Sequence, residues 1–329
     1  MASLNQIFKK YSGVLRSFKG VYVLNNLLNR NKLAHNKGLY RKYGLQKSIY
    51  APIGRADFPE THPDIPWLDR PNGLHDLRAH PEFYKWSEHV QEELERFVTD
   101  GYMILKNFFS EENVERLNEE IDALLRDQSI DFNYTGRKIM ESFRISPMAD
   151  AFFRNKQLLK ILNFTMGKEV IPFQTINFIK GSEQRAHSDS IHMTTQPQGY
   201  LIAAWIALED IGPDQGPLEY YPGSHRLPFV STRDYPSGNT NWTIGKESNK
   251  RYEDKIAEVV REKGLKQQTF LPKKGDVLIW HANLLHGGQA ITRPGATRKS
   301  MVAHYFCEGV ICYHEMSQRP ALIDENPSS

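Results

Sequence analysis

Cysteine is scarce in this 329-residue chain, acidic residues are missing from one end of it, and long apolar runs are missing throughout. The two cysteines, Cys307 and Cys312, stand five apart near the C-terminal end. They are too few for a disulfide framework and lack the spacing of a zinc site, so two reduced thiols in a cytoplasmic protein are expected. No apolar stretch approaches the roughly 20 residues needed to cross a bilayer, which excludes an expected transmembrane helix. The first 56 residues hold eleven Lys and Arg and no Asp or Glu. Against a whole-chain charge of +3, that leaves the rest of the chain at −8 and marks off a basic N-terminal arm. A nucleic-acid partner is not expected.

What is present is enough for a large core, since hydrophobic residues make up 40% of the chain. In the arm, Leu4, Ile7, Phe8, Tyr11, Val14, Leu15 and Phe18 recur at helical steps between Lys9, Lys10, Arg16 and Lys19. Such a basic amphipathic helix can pack on the protein's own body or a sister subunit, lie on a membrane surface or a partner, or serve as a transit peptide. Lys and Asn dominate the arm where a transit peptide favours Arg and Ser, so docking is the preferred reading. A proline-rich linker follows from Ser48 to Asn72. It contains His62-Pro63-Asp64, a His-x-Asp set between prolines with no strand before it, which reads as a turn.

The expected plan is an arm and linker over 1–80, a main domain over 81–310 and a C-terminal tail over 311–329. Within the main domain, 81–167 is helical, with helices over 82–99, after the cap Ser110, and from Met148 to Phe164, and a strand over 101–109. From residue 168 to 310 the pattern changes to short strands: 170–180, 199–209, 217–221, 269–271, 276–280 and 298–306. The result is a mainly β fold with flanking helices, a sandwich or barrel. An insertion over 231–265 carries a charged helix at 249–263, read as a solvated face or, alternatively, a lid.

Chemistry concentrates in Arg185-Ala186-His187-Ser188-Asp189. Side chains at i and i+2 of an extended segment share a face, so His187 and Asp189 can grip one metal ion. His286, on the Gly-flanked turn Leu285-His286-Gly287-Gly288, supplies a third ligand. Two histidines and a carboxylate with open positions form the ligand set of mononuclear non-haem Fe(II) oxygenases. Twelve residues further on, Arg298, Ser300, Val302 and His304 alternate onto one strand face. An arginine aimed inward among apolar residues is costly unless an anion meets it, and its fork suits a carboxylate. His192, His281 and His304 are candidates to surround the metal or a substrate, whereas His225, in Pro222-Gly223-Ser224-His225, reads as part of a structural turn.

Together with Asp100-Gly101-Tyr102, Leu105-Lys106-Asn107-Phe108, Ala204-Trp205-Ile206-Ala207-Leu208-Glu209 and Gly216-Pro217-Leu218-Glu219, these residues resemble the phytanoyl-CoA dioxygenase family over about 100–306. The resemblance implies a double-stranded β-helix, a cupin-like jelly roll, in which His187, Asp189 and His286 bind Fe(II). It also implies that Arg298 pairs the distal carboxylate of the co-substrate 2-oxoglutarate, that Trp205 lines its pocket, and that Lys138 helps hold it. Where the family often has a small hydroxyl residue, two places after the distal histidine, this chain has Gly288. Halogenating relatives replace the carboxylate ligand by a small residue; Asp189 is present, which favours hydroxylation with O2 of an aliphatic carbon in a small or medium metabolite. Desaturation, cyclisation or epimerisation on the same iron are the enzymatic alternatives, and a jelly-roll binding or sensor protein without turnover is the non-enzymatic one.

Overall fold

The structure is a computed structural model that describes residues 17–59, 64–133 and 136–323. The amphipathic pattern from Leu4 onward lies outside the described residues except for its end at Phe18. The described arm forms helices α1 (Lys19–Leu28) and α2 (Asn36–Lys42), then an extended run. Leu33, Tyr40, Leu45, Ile49, Ile53 and Phe58 bury themselves against Ile311 and Tyr313, so the arm shares a core with the far end of the chain.

Two of the expected helices show where side chains overrule periodicity. After α3 (Gly73–Ala79), the helix expected over 82–99 begins later, as α4 (Glu88–Asp100). Phe83–Lys85 is a separate 3-10 turn, and Ser87 accepts a hydrogen bond from Val90 N–H and so opens the helix there. Gly101, at φ 85°, closes it in a left-handed cap. Strand β1 (Tyr102–Leu105) leads to α5 (Glu111–Arg126), capped by Ser110 as expected. After β2 (Lys138–Met140), the helix expected from Met148 to Phe164 is two helices, α6 (Pro147–Phe153) and α7 (Lys156–Met166). The Asn155 carboxamide accepts from Gln157 and Leu158 N–H, which starts a new helix where the apolar spacing alone suggested continuation.

The strands are β3 (Val170–Phe178), β4 (Thr194–Gln196), β5 (Leu201–Ala207), β6 (Leu218–Tyr220), β7 (Gln268–Phe270), β8 (Val277–His281), β9 (His286–Gly288), β10 (Ser300–Cys307), β11 (Ile311–His314) and β12 (Arg319–Pro320), with α8 (Ser248–Glu262) between β6 and β7. They pair antiparallel into a six-stranded sheet of order β1-β8-β5-β10-β3-β2 and two three-stranded sheets, β7-β6-β9 and β12-β11-β4. Residues 311–323, expected as a tail, carry β11 and β12 and help close the core over the arm.

The period-2 alternation of β5 explains the layers. Ile202, Ala204 and Ile206 face the helices, packing with Leu94, Phe97, Leu117 and Ile161. Ala203, Trp205 and Ala207 face the other way, toward Leu218, Tyr220 and Phe270 of the small sheet. The fold is therefore an antiparallel jelly-roll core with helices flanking one face of the large sheet, in agreement with the fold expected from sequence. Arg298, Ser300, Val302 and His304 occupy the inner face between the two sheets, where a charge is expensive.

Candidate metal centre

The segment after β3 turns back so that His187 meets the start of β9. His187 N–H donates to the His286 carbonyl and His286 N–H to the His187 carbonyl, both at 2.9 Å, which clamps the two residues together as an isolated antiparallel bridge. Ser188 is extended (φ −110°, ψ 148°), so Asp189 projects on the same side as His187. One donor atom from each of His187, Asp189 and His286 lies within 4.8 Å of the other two, and among the described residues no other such group of His, Cys, Asp or Glu forms. Asp189 Oδ1 is 3.9 Å from His187 Nε2 and 3.7 Å from His286 Nε2.

Both imidazoles are set in the tautomer a metal needs. His187 Nδ1–H donates to the Arg185 carbonyl at 2.9 Å and His286 Nδ1–H to the Leu284 carbonyl at 3.0 Å, which leaves each Nε2 free to bind a metal. Burial pushes His187 well below the ordinary histidine range, which keeps it neutral and ready to bind. Burial alone would raise the Asp189 carboxyl, but the neighbouring His286 and His304 hold it below the usual carboxylate range. Its other oxygen, Oδ2, accepts from Trp280 Nε1–H at 2.8 Å and faces His304 Nε2 at 3.5 Å.

Trp280 was not singled out from the sequence, although a buried indole N–H usually finds an acceptor. The β5–β8 register sets Trp280 opposite Ala203, whose small side chain leaves the ring room, and the indole packs at a tilt against His286, 4.5 Å between centroids. His304 does sit beside the carboxylate, as its face with Arg298 suggested.

Arg298 is 2% exposed, and its Nε and Nη1 have no hydrogen-bond partner. Burial pushes the guanidinium down to about 10, so it remains charged near neutrality. Gly181, at φ +65°, makes room for it: a Cβ there would stand 2.5 Å from Arg298 Nε. At Gly288, a Cβ would meet Ser182 Oγ at 2.7 Å and Arg298 Nη1 at 3.5 Å, so a hydroxyl side chain has no room there without a shift of Ser182. Trp205 is fully buried, its ring 5.9 Å from Arg298 Cζ, and reaches the site as a platform under the guanidinium. Lys138 Nζ lies 3.5 Å from Gln184 Oε1, and burial lowers its pKa while the Asp189 charge opposes the shift.

A cavity of about 1650 Å³ opens onto His187 and Asp189, with Lys138, His192, Phe173 and Phe306 in its walls. His192 thus stands at the cavity, its ring 5.9 Å from that of His187. His281 belongs elsewhere. It pairs with Asp69 at 3.0 Å and meets His225 edge-on, 5.6 Å between ring centroids, and both line a separate cavity. His62 lies outside the described residues, and the Asp64 carboxylate is committed to Tyr200 and Lys168.

The donor set fits a single ion held by two imidazoles and one carboxylate, with open positions left for other ligands. The family model for phytanoyl-CoA dioxygenase (PhyH) matches residues 97–300. An ectoine dioxygenase from Bordetella bronchiseptica is 27% identical over 223 residues, 62% of this chain and 71% of that protein. The peroxisomal phytanoyl-CoA dioxygenase of Bos taurus is 21% identical over 254 residues, 69% of this chain and 72% of that protein. The crystal structure of EctD from S. alaskensis with 2-oxoglutarate and 5-hydroxyectoine superposes with a TM-score of 0.53 at 23% identity, covering 68% of this chain and 78% of that one. The matched span contains all three members of the trio, together with Lys138, Trp205 and Arg298, and the chain belongs to the phytanoyl-CoA dioxygenase family of Fe(II)- and 2-oxoglutarate-dependent oxygenases.

Proposed function

We propose that this oxygenase hydroxylates an aliphatic carbon of a small or medium metabolite, with release of succinate and CO2. His187, Asp189 and His286 hold the Fe(II), Arg298 binds the distal carboxylate of 2-oxoglutarate, Trp205 supports Arg298, and Lys138 helps to hold the keto acid. The observation that carries this reading is the buried guanidinium with two unpartnered nitrogens, on the same inner face as His304 and the carboxylate that His304 meets. A charge left so exposed to its own desolvation calls for an anion, and a dicarboxylate that also reaches the metal meets the demand. Two further points support hydroxylation: Asp189 occupies the carboxylate position, and a similar solved protein, EctD, holds a hydroxylated compound. The cavity exceeds the roughly 300–1000 Å³ common for small-ligand sites, which favours the larger end of the substrate range. The free, buried cysteines suit a cytoplasmic location.

When bound, the iron with 2-oxoglutarate supplies activation of O2 and oxidation of a C–H bond. The chain's own residues hold and orient. The Nδ1–H bonds to Arg185 and Leu284 fix both imidazole rings, and Trp280 ties down Oδ2 of Asp189 so that Oδ1 faces the histidines. The inner faces of the two sheets keep water from the guanidinium, which strengthens its attraction for a carboxylate.

Succinate formation from 2-oxoglutarate with Fe(II), ascorbate and O2 tests the activity, and untargeted metabolite profiling with the pure enzyme finds the substrate. No succinate above the metal-free control would leave a binding or sensor role in its place; a desaturated, cyclised or epimerised product would keep the iron site and remove the hydroxylation. Trp280→Phe keeps an aromatic ring but frees Asp189 Oδ2, and should weaken Fe(II) binding about tenfold or more, measured by anaerobic metal titration. Gly181→Ala forces a Cβ against Arg298 in a left-handed backbone conformation, and should raise the KM for 2-oxoglutarate more than it lowers kcat.

A further inference from the structure

Ser188 joins two of the three members of the trio, and its N–H has no strand to bond. Successive N–H groups of an extended segment point to opposite sides. That of His187 goes to His286, so that of Ser188 turns away from the bridge. Ser188 is 1% exposed, and a buried N–H without an acceptor is costly. The acceptor comes from 64 residues further along: the Tyr252 phenol oxygen, 3.0 Å from Ser188 N and 3.2 Å from Ser188 Oγ. Ser188 Oγ in turn contacts Ser190 Oγ at 2.5 Å. Tyr252 lies on α8, is fully buried, and is kept neutral because burial raises its phenol pKa. A second tie joins the same two elements, Arg185 to Asp254 at 2.7 Å. Helix α8 therefore packs one face on the ligand segment and leaves Lys250, Arg251 and Asp254 exposed on the other. Tyr252 and Ile256 bury one face of it against Ile191, Tyr221 and Leu285, while Asn249 and Glu253 reach the cavity wall.

We propose that Tyr252 is a positioning residue for the metal centre. Its hydroxyl stands in for the strand that Ser188 lacks, fixing the peptide between His187 and Asp189 and with it the separation of their donor atoms. This inference rests on the reading of the trio as the iron site. The insertion that carries α8 then belongs to the metal-binding apparatus, with the 2-oxoglutarate residues left untouched.

The test is titration of the metal-free protein with Co(II), followed by the visible d–d bands, whose position and intensity report coordination geometry. Tyr252→Phe keeps the ring and its packing, and is expected to lower Co(II) affinity about 10–100-fold and to alter the bands. Tyr235→Phe removes a hydroxyl that contacts Ser248 at the start of the same helix, at 3.2 Å, without touching the ligand segment, and is expected to bind as the unsubstituted protein does. Thermal melting of each metal-free protein establishes that it is folded. Unchanged affinity and spectrum in Tyr252→Phe would overturn the role. So would an equal loss in Tyr235→Phe, because a loosened helix would then be the cause. If the unsubstituted protein binds no Co(II), or Asp189→Ala binds it unchanged, the iron-site reading fails first and the role of Tyr252 falls with it.

Discussion

Asp189→Ala should bring succinate formation down to the metal-free background. Asp189 is the only acid in the trio, and its Oδ1 lies within 3.9 Å of both imidazole Nε2 atoms. Removing it leaves two neutral nitrogens, a set too weak to retain Fe(II) against water and buffer. The loss should exceed the roughly 10–100-fold typical when a group outside the ligand set is removed. It should also exceed the effect of Trp280→Phe in the same metal titration. Asp189→Asn separates charge from shape, since its carbonyl oxygen can still accept from Trp280 Nε1–H while the negative charge is gone. It should bind metal nearly as poorly as the alanine variant, because the charge holds the ion. The metal-free proteins should all melt cooperatively, the trio being a polar island on a jelly-roll core built from other residues. Robust turnover by Asp189→Ala would falsify the assignment of the carboxylate.

His187 and Asp189 were legible in the sequence because their spacing is local, and His286, 97 residues on, because of the two glycines that follow it. Two side chains two apart after a strand share a face in any strand, and a histidine before two glycines sits where backbone can approach closely. The face carrying Arg298 and His304 was legible for the same reason. What the sequence could not disclose depends on register and on distant contacts. Trp280 meets Asp189 only because β8 lies beside β5 with Ala203 opposite, and nothing near Trp280 in sequence specifies that neighbour. Tyr252 sits in a helix whose many charges suggested exposure; two buried residues on one face outweigh that composition once α8 packs on the ligand segment. Strand β9 consists of His286, Gly287 and Gly288, residues poor in β-propensity, and exists because Tyr220 and Glu219 of β6 pair with it. The break at Asn155 and the strands β11 and β12 were missed because one capping side chain and two short pairings leave almost no trace in hydropathy.

Replacing Arg298 by glutamine separates stability from binding, because the two effects have opposite origins. In the protein without co-substrate, the guanidinium carries two unpartnered nitrogens in a buried site, and burial has pushed it down to about 10. Such a group costs stability until an anion arrives. Arg298→Gln should therefore leave the melting temperature of the empty protein unchanged or slightly higher, where loss of an ordinary buried ion pair would lower it. With Co(II) and 2-oxoglutarate under anaerobic conditions the order should reverse. Each hydrogen bond between charged groups is worth about 1.5–3 kcal/mol, so losing the charged fork should weaken 2-oxoglutarate binding by about 10–100-fold. At a concentration 100 times the original Kd, 2-oxoglutarate stabilises the unsubstituted protein by about 2.7 kcal/mol, and with a 100-fold weaker Kd that gain shrinks to about 0.4 kcal/mol. The ligand-induced shift in melting temperature should accordingly almost vanish in the variant, while its Co(II) affinity without 2-oxoglutarate stays as it was. An undiminished shift would place the dicarboxylate elsewhere. A parallel loss of Co(II) binding would mean that Arg298 supports the metal ligands themselves, through the inner face it shares with His304.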